Sequence, residues 1–548
     1  MSYHTCVHVR VPPPITPAPV PELPPDLPPA TSCDDQDPSC SGWAAIGQCT
    51  ANPAFMLAKC SLSCGKCQQP AEPSPPPPPA ASCVDDSTYC PTWAKDGQCK
   101  SNPGYMSRAC RLSCGACGSD LPSATTAGPS FGARIPNPPD VALGYSGHAW
   151  PDMSIPSTGD IHLLAIGDWG GMDGTVITDG KRAKKDYYRI IQYQGGDTEG
   201  PHTMARSRPG CEFANLVECF NTHGQPGGNA ASPCYTTCGW APGLDDKAQL
   251  LVAEQFKRRA AQVNPKLVLN VGDNFYWGGI ETDCGTPMTE LHLVTKHQFD
   301  SIFEGIYNGP GLDNVPWLSV LGNHDWGGRY FNAGWDQQIA YTWQSQRWLM
   351  PAPYWTLHVD FPDKGFSADF IMTDSNAHDA KDSSEDPEHN VCGALHTPSE
   401  ASCAAQGGPP SVAECKTWFH NFWKTQQRWA EQRLSQSTAD WQIMVTHFPC
   451  GHSASWYAKL HMQYGLDLLV TGHRHEQELW QESAMLGGLT CIVTGGGGGI
   501  TSEMPPAWGV NHDSQYGFFD LTISKEKINI LLINQNGAVV KTGSAHPS

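Results

Sequence analysis

Residues 266–276 read Lys-Leu-Val-Leu-Asn-Val-Gly-Asp-Asn-Phe-Tyr, an apolar run that stops at Gly272-Asp273-Asn274. A short apolar run closed by glycine and a polar turn former has the pattern of a strand buried on both faces. The same design recurs upstream as IHLLAIGD (161–168) and downstream as PWLSVLGN (316–323), WQIMVTH (441–447), LDLLVTGH (466–473) and TCIVTGG (490–496). Helical patterns at 244–263, 291–307 and 415–436 fall between several of them. Strand alternating with helix predicts an α/β domain over residues 159–545 with a largely parallel sheet, and the strand C-terminal ends of such a sheet carry the site.

Five of those ends present metal-ligand residue types: Gly167-Asp168-Trp169-Gly170, Gly272-Asp273-Asn274-Phe275-Tyr276, Gly322-Asn323-His324-Asp325, Thr446-His447-Phe448-Pro449 and Gly472-His473-Arg474-His475. One Asp after a strand is ordinarily a turn former, and one His is ordinarily structural; five in order, each after an apolar strand, reverse that reading. His473 and His475 are two apart, so on extended backbone their rings point the same way and reach adjacent metals. Asp168, Asp273 and Tyr276 are anionic when bound and suit a hard, highly charged ion such as Fe(III). Asn323, His447 and His473 are neutral and suit a divalent ion, with Asp273 placed to bridge. A phenol titrates near pH 10 in water, so Tyr276 binds as tyrosinate only beside a strong Lewis acid, which points to a trivalent first metal. The competing reading of Tyr276 is aromatic packing under its loop.

Together these motifs resemble the metallophosphoesterase superfamily, and GDNFY is similar to the small, tartrate-resistant type of purple acid phosphatase. The resemblance covers most of 159–545 and includes TCIVTGGGGG and YGFFDLTIS. It implies a calcineurin-like four-layer β-sandwich flanked by helices. It also implies a binuclear centre in which Asp168, Tyr276 and His475 hold Fe(III), Asp273 bridges, and Asn323, His447 and His473 hold divalent Fe, Zn or Mn. The activity implied is acid phosphatase action on phosphate monoesters, by in-line attack of a metal-bound hydroxide. His324 matches the family's substrate-facing histidine, which protonates the leaving alkoxide or clamps the phosphate, and Asp325 would orient it. Two positions depart from the pattern. Trp456 stands where a second substrate histidine is usual, with His452 nearby as a substitute, and Arg474 replaces the more usual Asp in the middle of GHxH. Activity on diphosphate or phosphodiester bonds, or an inactive extracellular binding protein, are the alternatives. The run Gly495–Gly499 lacks Gly-Lys-Ser/Thr and is no Walker loop.

The chain has 548 residues, 23 of them Cys and 48 Pro, and a net charge of −20. With 54 acids against 34 Lys and Arg it offers no basic surface for nucleic acid. No apolar run approaches the roughly 18 residues of a membrane span. Residues 1–32 and 68–82 are proline-rich and read as extended spacers, with SH3 or WW ligands as the lesser alternative. The stretch 118–158 reads as a further linker, rich in Gly, Pro and Ser.

Around the second spacer sits a repeat: Cys33, Cys40, Cys49, Cys60, Cys64 and Cys67 (33–67), then Cys83, Cys90, Cys99, Cys110, Cys114 and Cys117 (83–117), in identical spacing. Six cysteines in under 40 residues indicate a module held by three bridges, and spacing alone leaves fifteen connectivities. The pattern resembles the ShK-like (ShKT) domain, which implies Cys33–Cys67, Cys40–Cys60, Cys49–Cys64, Cys83–Cys117, Cys90–Cys110 and Cys99–Cys114. Leu57-Ala58 and Ser107-Arg108 replace the Lys-Tyr pair of channel-blocking members, so a tether to an extracellular protein or the cell wall is the expected role. Cysteine this dense is expected in a secretory or extracellular compartment. The start, MSYHTCVHVRVPPP, shows no apolar signal segment, so an incomplete start or another export signal is expected. Segments 192–243 (Cys211, Cys219, Cys234, Cys238) and 375–416 (Cys392, Cys403, Cys415) read as disulfide-pinned insertions. The twelve repeat cysteines leave eleven, so one at least is unpaired within the chain, Cys6 being the first candidate.

Overall fold

The computed structural model describes residues 135–170, 248–276, 278–386, 389–499 and 515–548, with isolated positions at 40, 49, 59–60, 90–95, 99, 112–115, 130–131, 191–192 and 202–203. The proline-rich spacers, Cys6 and nearly all of the 192–243 insertion lie outside them. Two units divide the chain, residues 1–82 and 83–548. In the first, Cys40 is bonded to Cys60, and Cys49 is disulfide-bonded. In the second, Cys99 is bonded to Cys114. Each of the other four pairings that the ShK resemblance implies has at least one cysteine outside the described residues.

The second unit holds two mixed sheets in place of one largely parallel sheet. The six apolar runs form strands as expected, at Ile161–Ile166, Leu267–Asn270, Trp317–Ser319, Trp441–Val445, Leu468–Thr471 and Thr490–Thr494. The first three, with Trp348–Leu349, are the parallel part of a seven-stranded sheet that Gly517–Ile523, Ile528–Asn534 and Val539–Ala545 extend in antiparallel fashion. The other three, beside Phe366–Met372, are the parallel part of an eight-stranded sheet, with Trp355–Phe361 and Gln477–Trp480 pairing antiparallel. A strand–helix rhythm reports only local crossovers, so it misses hairpins and cannot say which runs share a sheet.

Burial on both faces explains why these strands lack a polar alternation. Along Ile161–Ile166, Ile161, Leu163 and Ala165 enter the core between the sheets, while Leu164 and Ile166 pack on the other side with Phe256 of the helix Ala248–Val263. Across the sandwich, Ile443 and Val445 face the shared core, and Met444 packs outward with Leu434 of the helix Val412–Gln436 and Leu460 of Ala454–Tyr464. The result is helix, sheet, sheet, helix. The helix expected at 291–307 is an α-helix at Leu293–Gln298 that continues as a π-helical turn, Phe299–Glu304, where Gly305 N donates to Asp300 O. No helix among the described residues is long and apolar enough to cross a membrane.

Segment 375–416 is pinned by Cys392–Cys415 and by Cys284–Cys403, while Cys450–Cys491 ties the turn after His447 to the strand Thr490–Thr494. That last bridge closes a loop with a sequence separation of 41, for which chain entropy gives about 4 kcal/mol. Cys450→Ser/Cys491→Ser is expected to lose about 2–4 kcal/mol in denaturant melts. An unchanged midpoint would show that packing alone holds the turn.

Candidate metal centre

The parallel strands of both sheets end at the same edge, and their polar ends meet there. From the seven-stranded sheet come Asp168, Asp273, Tyr276, Asn323 and His324; from the eight-stranded sheet come His447, His473 and His475. Two triads, Asp168/Asp273/His475 and Asp273/His447/His473, each bring ligand atoms within 4.8 Å of one another and share Asp273. Tyr276 turns its hydroxyl into the first triad, 2.8 Å from Asp273 Oδ2, 3.2 Å from Asp168 Oδ1 and 3.3 Å from His475 Nε2. Its ring is buried against His324, centroids 4.5 Å apart. Asn323 turns Oδ1 into the second triad, 3.0 Å from His447 Nε2 and 3.1 Å from His473 Nδ1.

Backbone in the left-handed region supplies these directions. Asp168 (φ 56°), Asp273 (φ 51°) and His473 (φ 69°) are non-glycine residues at positive φ, which costs on the order of 1–3 kcal/mol each and persists where the surroundings over-determine it. Two glycines let neighbouring loops close on the carboxylates: a Cβ on Gly322 would lie 2.1 Å from Asp273 Oδ1, and one on Gly472 would lie 2.5 Å from Asp168 Oδ2. His447 Nδ1 lies 2.9 Å from Val271 O, which fixes Nδ1 as the protonated nitrogen and leaves Nε2 to face Asp273 at 3.3 Å.

Electrostatics in this pocket call for added positive charge. Among the described residues, the ion-pair partners of Asp168 and Asp273 are His475 and His447 alone. Burial, reinforced by Asp273, pushes the Asp168 carboxyl well above the usual range. Burial also opposes ionisation of Asp273, but His447, His324 and His473 outweigh it and hold that carboxyl low. Burial drives His473 well down and His475 to about 4, so both rings are neutral and have a lone pair to donate. Burial would lower His447 too, yet Asp273 and Asp168 raise it to about 10; a cation on Nε2 would displace that proton. Burial and the two aspartates push the Tyr276 phenol well up. Two buried carboxylates, a buried phenol, neutral imidazoles and an amide oxygen converging on one point are a donor set that fits a pair of cations.

The remaining candidates lie around this cluster. His324, 6% exposed, donates its backbone N–H to Asp273 Oδ1 at 2.9 Å and stands over Tyr276. Asp325 accepts from Gly322 N (2.7 Å), Asn274 N (2.9 Å), Phe275 N (3.2 Å), Asn274 Nδ2 (3.1 Å) and Gln338 Nε2 (3.0 Å). Those bonds brace the loop after Leu267–Asn270 against the loop after Trp317–Ser319, and the orienting bond expected to His324 is not among them. His452 is exposed and one ring removed from the triads: it packs on Phe448 (5.3 Å), which stacks on His473 (4.1 Å). Trp456 faces away, its Nε1 donating to Glu431 Oε1 at 3.0 Å. Arg474 pairs with Glu476 (2.8 Å) and Glu478 (3.1 Å), so acidic side chains engage its charge. Sequence reasoning missed Ser375, Asn376 and His378, which hydrogen-bond to Phe448 N, Leu321 O and Ser453 Oγ in the loops that carry His447 and Asn323; an Asx- and His-bearing turn gives no periodic signal to single it out.

Residues 158–477 match the family model described as calcineurin-like phosphoesterase, and residues 32–67 and 82–117 match the one described as ShK domain-like. The chain is similar to tartrate-resistant acid phosphatase type 5 of Oryctolagus cuniculus, 24% identical over 298 residues that cover 53% of this chain and 75% of that protein. It is also similar to purple acid phosphatase 7 of Arabidopsis thaliana, 22% identical over 310 residues, 54% of this chain and 80% of that protein. Among solved structures, GAP50, the anchor in the inner membrane complex of Plasmodium, superposes with a TM-score of 0.40 at 16% identity, covering 71% of this chain and 89% of that one.

Proposed function

The chain belongs to the calcineurin-like phosphoesterase family, and from that premise we propose that it is a binuclear-metal acid phosphatase acting on phosphate monoesters. The observation that carries this reading is the placement of the Tyr276 hydroxyl within 3.3 Å of Asp168, Asp273 and His475, beside a second donor group made of Asn323, His447 and His473. In this reading Asp168, Tyr276 and His475 hold Fe(III), Asn323, His447 and His473 hold divalent Fe, Zn or Mn, and Asp273 is shared. Such a metal pair, when bound, supplies Lewis acidity at the phosphoryl oxygens and acidifies water.

The protein's own groups do the rest. His324, fixed through its backbone to Asp273, orients the phosphoryl group and delivers a proton to the departing alkoxide oxygen. Asp325 keeps the two ligand loops in register. His452, at the exposed rim beside Phe448, contacts the leaving group. The two ShK-like modules serve as a tether to an extracellular protein or cell-wall partner. Five disulfides among the described residues support a secretory compartment.

A visible spectrum taken with elemental analysis tests the reading. Purified protein is expected to contain iron and to show a tyrosinate-to-ferric band that Tyr276→Phe abolishes. Colourless, iron-free protein that still hydrolyses monoesters would refute the ferric assignment.

A further inference from the structure

The strand Leu267–Asn270 is buried throughout, and its last residue breaks the apolar pattern. Leu267 and Leu269 enter the core between the sheets and Val268 packs on the helix side, so strand alternation puts the Asn270 amide on that side too. A fully buried amide costs free energy unless its polar ends are met. Here Oδ1 accepts from Trp169 Nε1 at 2.9 Å, and Nδ2 donates to Asn274 Oδ1 at 2.6 Å and to Ser319 Oγ at 3.0 Å. Trp169 follows Asp168, Asn274 follows Asp273, and Ser319 ends the strand that leads to Asn323. One side chain thus joins the three segments that carry Asp168, Asp273 and Asn323.

The direction of these bonds is dictated from one end. An indole N–H can only donate, so Trp169 turns Oδ1 of Asn270 toward itself and Nδ2 toward Asn274. Asn274 then presents Oδ1 to Asn270, which aims its own Nδ2 at Asp325 Oδ2, Gln338 Oε1 and Val320 O, each at 3.1 Å. Gln338, its oxygen so engaged, donates Nε2 to Asp325 Oδ1 at 3.0 Å. Three amides in series therefore carry one donor polarity from the Asp168 loop to the carboxylate that braces the Asp273 and Asn323 loops. We infer that Asn270 is a positioning residue for the candidate metal centre: by joining Trp169, Asn274 and Ser319 its amide sets the spacing of Asp168, Asp273 and Asn323. This rests on the reading of that pocket as a metal centre. Outer partners of metal ligands contribute about 10- to 100-fold to metal affinity.

The test is retention of Zn(II) by the full-length protein dialysed against buffered free Zn(II), with circular dichroism on the same samples. Instability alone leaves the affinity of the molecules that are folded unchanged, so the two measurements separate positioning from stability. Asn270→Val is expected to weaken Zn(II) retention about 10- to 100-fold. Asn270→Thr has the shape of valine with a hydroxyl that can accept from Trp169 and donate to Asn274, and is expected to recover part of that loss. Should Asn270→Val not fold, Trp169→Phe, which removes the indole N–H and keeps a ring, takes its place. Wild-type Zn(II) affinity in folded Asn270→Val or Trp169→Phe protein overturns the inference, as does Asn270→Thr protein that binds no better than Asn270→Val. Hydrolysis is not the readout. Wild-type protein that binds two Zn(II) without hydrolysing monoesters would refute the proposed function and leave this inference to be decided by the variants, whereas wild-type protein that binds none would overturn both.

Discussion

Asp273→Asn is expected to lower monoester turnover by at least about 10³-fold and to leave the protein with fewer than two metals per chain. The two triads share Asp273 and no other residue. Its carboxylate also accepts from Tyr276 OH and from His324 N, so one side chain sets the place of a candidate ligand and of the candidate proton donor. An amide removes one negative charge and offers an NH2 to one of two positions that need an acceptor. A metal pair supplies several kcal/mol to the transition state, and about 4 kcal/mol corresponds to about 10³ in rate. Steady-state kinetics on 4-nitrophenyl phosphate with metal analysis decide the matter. Turnover within tenfold of wild type, with both metals retained, would remove Asp273 from the centre.

Gly322→Ala should be nearly as damaging although it adds one methyl group and changes no charge. The new Cβ would sit 2.1 Å from Asp273 Oδ1 and 2.4 Å from Asp273 N, the second a main-chain atom that cannot swing aside. Gly322 has φ −95°, so the backbone conformation itself would accept alanine and the whole effect is steric. Relief requires the loop after Leu267–Asn270 to part from the loop after Trp317–Ser319, which strains the Asp325 brace and moves Asp273. A displacement of about 1 Å at a reacting centre can cost about 10² in rate, and that is the expected loss in kcat, with metal content reduced. An alanine variant with wild-type kcat would show that the two loops part without disturbing the centre.

Much of this architecture is legible because a strand buried on both faces must be apolar throughout and must stop where the chain meets the polar edge. LVLNVGD and LLVTGH therefore announce both the strand and the ligand. Sheet membership is not announced: Ile161–Ile166 and Leu468–Thr471 look alike in sequence yet lie in different sheets. The hairpin Trp355–Met372 and the strands Ile528–Asn534 and Val539–Ala545 carry partly exposed alternation and no ligand motif, so they pass unnoticed, while Gly517–Ile523 stands out in sequence only as part of the familial YGFFDLTIS. Asp325 illustrates another limit. Its place beside His324 suggests that it serves that ring, whereas three of its five hydrogen bonds reach back 50 or 51 residues to Asn274 and Phe275. Ser375 is 73 positions from Phe448, and only the folded turn joins them. Cysteine pairing is a matter of distance in space, which spacing in sequence does not fix.

Each sheet brings part of the pocket: aspartates and a phenol from one, imidazoles from the other. A cation seated there works as a rivet between two halves that otherwise adhere through a shared apolar interior and a few hydrogen bonds, such as Gly167 N to Thr494 O and His447 Nδ1 to Val271 O. Any bound ion strengthens that seam in proportion to the logarithm of its concentration over its dissociation constant, so chelation should loosen the join between the layers before it melts either layer.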